Sequence, residues 1–510
     1  MFVRQKKNKS GSTSVQIVDK SNGYRVIQTV GSSKDHDKIA FLVQKAKHNI
    51  RTCNGQQAEL FSVQTPQEKA VRTFLGQLSN EHIRVVGPEL VFGVLFDRLG
   101  FGSIPDELFR HIVIARLAHP VSKVKTADYL YRYQGVSAQV SSIYRFLDRL
   151  SDKHKPTVER IAFEYSRDIL GNISVVFYDM TTLYFEAEDE DDLRKIGFSK
   201  DGKFQHPQIM LGLFVGEHGY PIGYDIFEGN VFEGHTLLPM LASIRRKYGL
   251  GKPVVVADAA LLSRDNLKAL AKEGYSFIIG ARIKNESAEI QQRILAQATA
   301  IKDQQGFDIQ RADQTRLVVT YSDQRHKKDA YTRERGVAKL RQRIKSGSLT
   351  KEHINNRGYN KFLKLTGSLT VSIDEDKIKT DCCWDGLKGY ITNTALSVEQ
   401  IVENYRQLWQ IEKAFRISKT DLRIRPVYHY RRKRIEAHIC IAFVAYTIYK
   451  ELERLLEKYE AGFSPKRAAE LTHTMYALEY QSPEHTEIER IILKMDAEQQ
   501  TLYDIIQQKN

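Results

Sequence analysis

Cysteine is scarce, which removes disulfide chemistry from consideration. The 510 residues contain four cysteines, Cys53, Cys382, Cys383 and Cys440. Two are adjacent and none forms a Cys-x-x-Cys pair, so neither a disulfide framework nor a zinc module is expected, and the pattern fits a reducing cytosol. Long apolar runs are missing too. The most apolar stretch, Ile439 to Tyr449, is far short of a membrane span and reads as a buried helix. Met1 to Ser12 is basic and polar with no apolar core, so it does not read as a signal peptide. There is no phosphate-binding Gly-Lys loop and no His-Glu-x-x-His, and neither an internal repeat nor a low-complexity tract. Acids are outnumbered as well. Lys plus Arg is 77 against 62 for Asp plus Glu, a net charge of +15, which favours a polyanionic partner and above all nucleic acid.

What is present is enough apolar residue, 42%, to build real cores, over a length that implies about two to four domains. Residues 1–60 form an expected β-hairpin region: a basic tail, then alternating runs Ser14–Val18 and Tyr24–Thr29 around a Ser-Asn-Gly turn. Residues 61–170 read as helical, with apolar positions recurring at three and four in Leu90–Leu99 and Leu108–Leu117. Within them Thr126–Leu130, a Gly135-Val-Ser137 turn and Val140–Leu150 suggest helix, turn, helix. The second helix would present Gln139, Ser142 and Arg145 outward, either to read DNA or as a plain helical hairpin.

At residue 171 the texture changes. Ser174-Val-Val-Phe-Tyr178 is an apolar, β-branched run ending at Asp179, as expected of a central strand buried on both faces. After an acidic loop, Glu186 to Asp192, the runs Gln208–Val215 and Tyr220–Phe227 flank Gly216-Glu-His-Gly219 and predict a hairpin. Thr236–Tyr248 has helical spacing. Pro253-Val-Val-Val-Ala257 is a second buried strand, ending at Asp258. A helix Arg264–Glu273 closed by Gly274 and a strand Tyr275–Ile279 follow. Hairpins first and crossovers later predict a mixed sheet covered by helices. Residues 284–390 break this rhythm with a basic stretch and alternating segments, Ser368–Ile373 and Lys377–Trp384, around Asp374-Glu-Asp376; they read as an inserted β-rich subdomain. Ser397 and Gln400 form a capping-box pattern for a helix over 397–420. Residues 431–510 read as a mostly helical C-terminal region.

The chemistry resides in three acids. On the 397–420 helix, Tyr405, Glu412, Arg416 and Lys419 fall in a stripe about 60° wide, beside an apolar stripe of Leu408, Ile411 and Phe415. An amphipathic helix with spaced charge pairs would look the same, and a single strand-end aspartate is commonly a cap. Two aspartates ending neighbouring strands, with a glutamate helix to follow, are a pattern suited to hard divalent cations. Oxygen ligands favour Mg²⁺ or Mn²⁺, and two such ions can run phosphodiester displacement. Arg416 and Lys419 would stand where DNA phosphates arrive. Asp385, beside Gly386 in an expected turn, is a weaker third acid, and the 186–192 acids read as a solvated loop. His206, His235 and His438 read as hydrogen-bonded core or surface residues rather than ligands.

These residues resemble bacterial insertion-sequence transposases of the three-carboxylate (DDE) class, with a ribonuclease-H-like core. Val175-Val-Phe-Tyr-Asp179-Met-Thr-Thr-Leu-Tyr-Phe185 is similar to the first-aspartate strand and Val254-Val-Val-Ala-Asp258-Ala-Ala-Leu-Leu-Ser263 to the second. The subgroup with a β-strand insertion carries Tyr, two residues, Arg, three residues, Glu, six residues, Lys. Tyr405, Glu412 and Lys419 match that spacing, while Leu408 stands in the arginine slot, with Arg406 or Arg416 as substitutes. Asp258 follows Asp179 by 79 residues and Glu412 follows Asp258 by 154, the longer gap leaving room for the insertion.

The resemblance implies an α/β fold, a ribonuclease-H-like mixed sheet over 171–283 and 391–430, with the β-rich subdomain inserted at 284–390 and flanking helical regions. It implies a DNA transposase that cuts the ends of its element and joins them to target DNA. Asp179, Asp258 and Glu412 would be catalytic and would bind Mg²⁺ or Mn²⁺. Tyr405, Arg416 and Lys419 would touch double-stranded DNA, with Trp384 or a neighbour stacking a flipped base in a hairpin step, and the helix–turn–helix reading adds Arg145 as a DNA contact. The resemblance further implies a homodimer in the synaptic complex, no membrane, and a cytoplasmic bacterial location at the nucleoid when DNA is bound. The alternatives are a ribonuclease-H-like nuclease without strand transfer and an inactive DNA-binding protein.

Overall fold

The computed structural model describes residues 1–21, 23–53, 66–259, 263–349, 351–355, 357–366, 370–481 and 488–508. Two compact units emerge, Met1–Ile83 with Leu478–Ile491, and Arg84–Ala477 with Ile492–Asn510. In the smaller unit, strands β1 (Phe2–Lys7), β2 (Thr13–Asp19) and β3 (Arg25–Ser33) pair antiparallel in that order. The hairpin expected from alternation is β2–β3. The tail before it forms a third strand, because Phe2 to Lys7 find ladder partners in Val18 to Thr13. Val15 and Ile17 of β2 bury against Ala46 of α1 (His36–Cys53). The helix α2 (Pro66–Gln77) and the short strand β4 (Ile83–Val85) follow.

The larger unit opens with helices, α3 (Val94–Arg98), α4 (Glu107–Ala118), α5 (Lys123–Tyr129), α6 (Val140–Arg149) and α7 (Lys155–Leu170). Asp106 and Ser122 cap α4 and α5 by accepting from Leu108 N and Lys125 N. The expected helix–turn–helix is α5 and α6, joined through Gly135 at φ 72°. Arg145 is exposed on α6, as the helical spacing places it.

The sheet begins with β5 (Val175–Tyr184), β6 (Gln208–Val215) and β7 (Pro221–Glu228), an antiparallel meander. After α8 (Leu237–Tyr248), β8 (Val254–Ala257) returns parallel to β5, and after α9 (Arg264–Lys272), β9 (Phe277–Ala281) lies parallel to β8. These five strands lie in the order β7-β6-β5-β8-β9, the mixed, crossover-connected sheet that the sequence predicts. Period-two burial of β5 explains its continuous apolar run. Val175, Phe177 and Leu183 enter one core, while Val176, Tyr178 and Met180 enter the core on the opposite face with α8 and α9.

The stretch expected as a β-rich insertion carries α10 (Ala288–Ala298), β10 (Gly306–Gln310), β11 (Arg316–Tyr321), α11 (Asp323–Lys345), β12 (Leu363–Thr366), β13 (Thr370–Ile373), α12 (Glu375–Cys382) and β14 (Leu387–Thr392), helices as well as strands. It splits between two structures. β14, β11 and β10 continue the main sheet antiparallel from the β9 edge, making eight strands, while β12 and β13 form a separate hairpin. Part of the expected strand Ser368–Ile373 lies outside the described residues. Over 377–384 the alternation predicts a strand, and the structure has a helix. Asp374 accepts from Lys377 N, and Glu375 and Asp376 fill the first turn, so the acidic turn is the N-terminus of α12.

The 397–420 helix is broken into α13 (Val398–Arg406) and α14 (Trp409–Arg416), with α14 running on through a wider turn at Ile417–Asp421. The expected capping box of Ser397 and Gln400 is present. At the break the bonding is i→i+3: Leu408 N to Tyr405 O at 3.0 Å, Gln410 N to Gln407 O at 2.9 Å, Ile411 N to Leu408 O at 3.2 Å. A turn of about three residues resets the helical phase. Both halves thereby bury their apolar sides, Ile401 with Tyr405 and Ile411 with Ala414 and Phe415. The single stripe from Tyr405 to Lys419 does not survive this reset. The chain continues through α15 (Arg432–Lys458), whose Ile439 to Tyr446 are all buried as expected, then α16 (Pro465–Thr472), β15 (Tyr476–Gln481), β16 (Ile488–Ile492) and α17 (Ala497–Gln507). No described helix is long and apolar enough to cross a membrane. Cys382, Cys383 and Cys440 are free thiols.

Candidate active site on the sheet face

Two aspartates reach the same face of the sheet by register. Tyr178 and Ala257 are partners in the parallel β5–β8 pair, so Asp179 and Asp258 each follow a paired residue by one. Both then point away from the α8–α9 side, into which Tyr178 and Ala257 are packed. That is the face covered by α13 and α14, since Tyr405, Leu408 and Ile411 share a core with Phe177 and Val256. α14, which carries Glu412, packs on β5 and β6, and α13 on β8 and β9.

Tyr405 connects the second aspartate to the helix. Its hydroxyl donates to Asp258 Oδ1 at 3.3 Å. Burial pushes the phenol above its ordinary range, and the charge of Asp258 pushes it further, so it stays a donor. Room for this hydroxyl comes from Gly280 on β9, where an added Cβ would fall 2.5 Å from it. Asp258 also accepts from the Ala259 amide at 2.6 Å.

Asp179 is the more desolvated acid. Burial raises its carboxyl above the usual range, and the charges of Glu233 and Asp258 add to this. The opposing influence is Lys200, whose ammonium is 3.6 Å from Asp179 Oδ1 and 2.9 Å from Glu233 Oε1, and donates to Met180 O at 2.6 Å. Carboxylates crowded in this way call for a cation, and among the described residues Lys200 supplies it.

Glu412 is exposed on α14. Its charge and that of Asp258 both act on Lys388 of β14 and on Tyr405. The Lys388 ammonium stands 4.3 Å from the Tyr405 ring centre and is held below its ordinary range, first by burial and then by Arg325. The three acids offer oxygen atoms only, the ligand type that suits Mg²⁺ or Mn²⁺. As the side chains stand, no three His, Cys, Asp or Glu residues among those described are grouped closely enough to share an ion.

The remaining expected contacts divide. Arg416 is exposed at the end of α14. Lys419 is committed elsewhere: it pairs with Asp201 at 3.3 Å, and Arg425 shares the same carboxylate. Leu408 is buried, while Arg406 donates to Gln304 Oε1 of the insertion at 2.6 Å. Trp384 is only 6% exposed and packs in the core with Leu387 and Ile391, presenting one side to a cavity of about 740 Å³. That cavity is basic, with Arg282, Lys284, Arg325, Lys328 and Lys388 in its wall. Asp385 is buried in a two-point ion pair with Arg333 at 2.5 Å, which accounts for it structurally. In the acidic loop, Asp191 accepts from the amides of Leu193 and Arg194 at 2.8 and 2.6 Å, so that acid folds its own loop. His438 is buried with one ring nitrogen on Ile424 O at 2.9 Å.

Lys200, Glu233 and Lys388 are site residues with no signal in the sequence pattern. Lys200 lies in the long excursion between β5 and β6 and Lys388 in the insertion, so only the tertiary fold brings them to the acids.

A family model described as a transposase DDE domain matches residues 171–448. Over 120 residues the chain is 29% identical to the transposase for insertion sequence element IS231E of Bacillus thuringiensis subsp. finitimus, 22% of this chain and 25% of that protein. The chain thus spans about a quarter of the length of that curated relative. Among solved structures it is similar to the piggyBac transposase in a synaptic complex with hairpin DNA, at 11% identity, TM-score 0.38 and 76% coverage of each chain. It is also similar to the Mos1 transposase in a paired-end complex, at 11% identity and TM-score 0.16, covering 51% of this chain and 86% of that one. The family match covers more than half of the chain and contains both aspartate strands and the glutamate helix: the protein belongs to the transposase DDE domain family.

Proposed function

We propose that the protein is the transposase of a bacterial insertion sequence, cutting the ends of its element and joining them to target DNA. This reading is supported by the register that turns Asp179 and Asp258 to the sheet face covered by α13 and by α14, the helix that carries Glu412, in a chain with net charge +15. Asp179, Asp258 and Glu412 would hold the divalent ions. When bound, Mg²⁺ or Mn²⁺ would activate a water or a 3′-hydroxyl and stabilise the leaving oxygen.

The protein's own groups do the rest. Tyr405 fixes the orientation of Asp258. Lys200 neutralises Asp179 and Glu233. Lys388, beside both Asp258 and Glu412, and exposed Arg416 would receive DNA phosphates. The basic cavity beside Trp384 would take a displaced strand or base, and Arg145 on α6 would contact the duplex. Lys419 would join them on leaving Asp201. In the Tyr-Arg-Glu-Lys subgroup that the Tyr405, Glu412 and Lys419 spacing resembles, two chains would pair the two ends.

The test is Glu412→Ala in a nicking assay on DNA carrying the element's terminal repeats, with a gel-shift control. Because Glu412 is exposed, the fold is expected to be kept. Nicking should vanish while binding persists; nicking at the wild-type rate would refute the assignment.

A further inference from the structure

A second cationic centre lies among the helices of the larger unit. A cavity of about 570 Å³ opens between the start of α5, Tyr144 of α6 and the loop Arg423–His429, with His438 of α15 in its wall. Two of its cations are sealed from water: Lys123 is 5% exposed and Arg116 6%. Among the described residues the Arg116 side chain makes two long bonds, to the carbonyls of Leu422 at 3.3 Å and Arg423 at 3.4 Å. Lys123 has neither hydrogen bond nor ion pair among the described residues. His429 packs its ring 5.4 Å from His438 and 6.1 Å from Tyr144. The second ring nitrogen of His438, Nδ1, is buried without a partner.

Among the described residues no carboxylate lines this cavity. Acids on neighbouring elements are already committed, Asp148 to Arg434 at 2.8 Å and Asp201 to Lys419 and Arg425. Buried cations without a counter-charge are strongly unfavourable. Burial accordingly drives Lys123 well below its ordinary range, Arg116 to about 10 and His429 to about 3, and neighbouring cations add to the effect on Lys123 and His429. An entering anion would relieve all of them at once. A cavity of this volume admits a nucleotide-sized group and not a duplex.

We propose that this cavity is a binding site for a phosphate monoester, gripped by Lys123 and Arg116 and flanked by Tyr144 and Tyr428. A terminal phosphate carries close to two negative charges, matching two buried cations, whereas a backbone diester carries one. Two sources share this chemistry, the 5′-phosphorylated end of a DNA strand and a free nucleotide. The DNA source, which alone rests on the transposase reading, fits the location. The cavity loop is stitched to the end of β5 by Val427 N donating to Tyr184 O at 3.1 Å. Val427 also bridges Phe185, six residues beyond Asp179 and so roughly 20 Å along the strand.

The experiment uses the full chain. Thermal unfolding is followed with inorganic phosphate against chloride at matched ionic strength, and binding with single-stranded oligonucleotides bearing a 5′-phosphate or a 5′-hydroxyl, and with AMP. Phosphate should raise the wild-type midpoint in a concentration-dependent way. Lys123→Met should raise the midpoint without ligand and abolish the phosphate-dependent rise, while Lys123→Arg keeps it. Lys125→Ala, at the exposed side of the wall, should weaken phosphate binding with an unchanged fold. A roughly tenfold preference for the 5′-phosphorylated oligonucleotide over the hydroxyl form and over AMP assigns the DNA end, and equal binding of AMP assigns the free nucleotide. Equal stabilisation of wild type and Lys123→Met by phosphate, or none beyond that of chloride, overturns the proposal. Nicking by the wild-type protein is read separately, so failure here is distinct from failure of the transposase reading.

Discussion

Gly280→Ala puts the packing around Tyr405 under direct test. The new methyl would lie 2.5 Å from the Tyr405 hydroxyl oxygen, 3.3 Å from its Cζ and 3.2 Å from the Ala259 amide nitrogen. Contacts of that kind require about 1 Å of movement, and overpacking in a filled site costs about 1–3 kcal/mol. The movement also breaks the bond to Asp258, worth about 0.5–1.5 kcal/mol. A loss of about 2–4 kcal/mol in urea unfolding is expected. Tyr405→Phe alone should cost about 1 kcal/mol, the value of the hydroxyl bond. In the double variant the clashing oxygen is gone, so its loss should fall short of the sum of the singles by about 1 kcal/mol or more. Nicking should fall in each of the three variants, because each frees Asp258 from its donor. Strict additivity of the unfolding energies, within about 0.5 kcal/mol, would refute the account of Gly280 as the space reserved for Tyr405.

Other outcomes follow from the charged groups. Asp179 is held above the ordinary carboxyl range by burial, so its contribution to stability is full below its unfolded value and is lost as pH rises through its folded one. Asp179→Asn should therefore gain stability relative to wild type as pH rises above the ordinary carboxyl value of about 4 in denaturant titrations, and a pH-independent difference would contradict this. Asp385→Asn leaves buried Arg333 without its two-point partner and should cost about 3 kcal/mol, with nicking per folded molecule retained. Unchanged stability with lost nicking would move the third-acid role from Glu412 to Asp385.

The catalytic strands are legible in the sequence because their signal is local. A strand buried on both faces must be apolar at every position, so Val175 to Tyr178 and Val254 to Ala257 declare themselves; Asp258 does follow the end of β8, whereas β5 runs on past Asp179 to Tyr184 paired with β6, so the expected strand end at Asp179 is instead a mid-strand position. The helix over 397–420 is legible as helix but not as two helices. Nothing in Arg406-Gln-Leu408 breaks helical propensity, and the tightening comes from two apolar faces each seeking the sheet. Lys377 to Trp384 is ambiguous for the opposite reason, since a short alternation fits either period and the cap at Asp374 decides. Lys419 shows what pattern cannot carry. Its spacing from Glu412 is that of a DNA contact, yet its partner, Asp201, comes from a loop more than two hundred residues earlier. Trp384 likewise reads as an available aromatic ring, and tertiary packing buries it.

The insertion does not hang from the core on a linker; it prolongs the same ladder. β11 lies three strands from β8, about 14 Å at the usual spacing, and α11 starts directly after it. Arg333 of α11 is clamped to Asp385 immediately before β14, so the basic helix is anchored twice to the lattice that carries Asp258. Such a helix cannot wander relative to the acids.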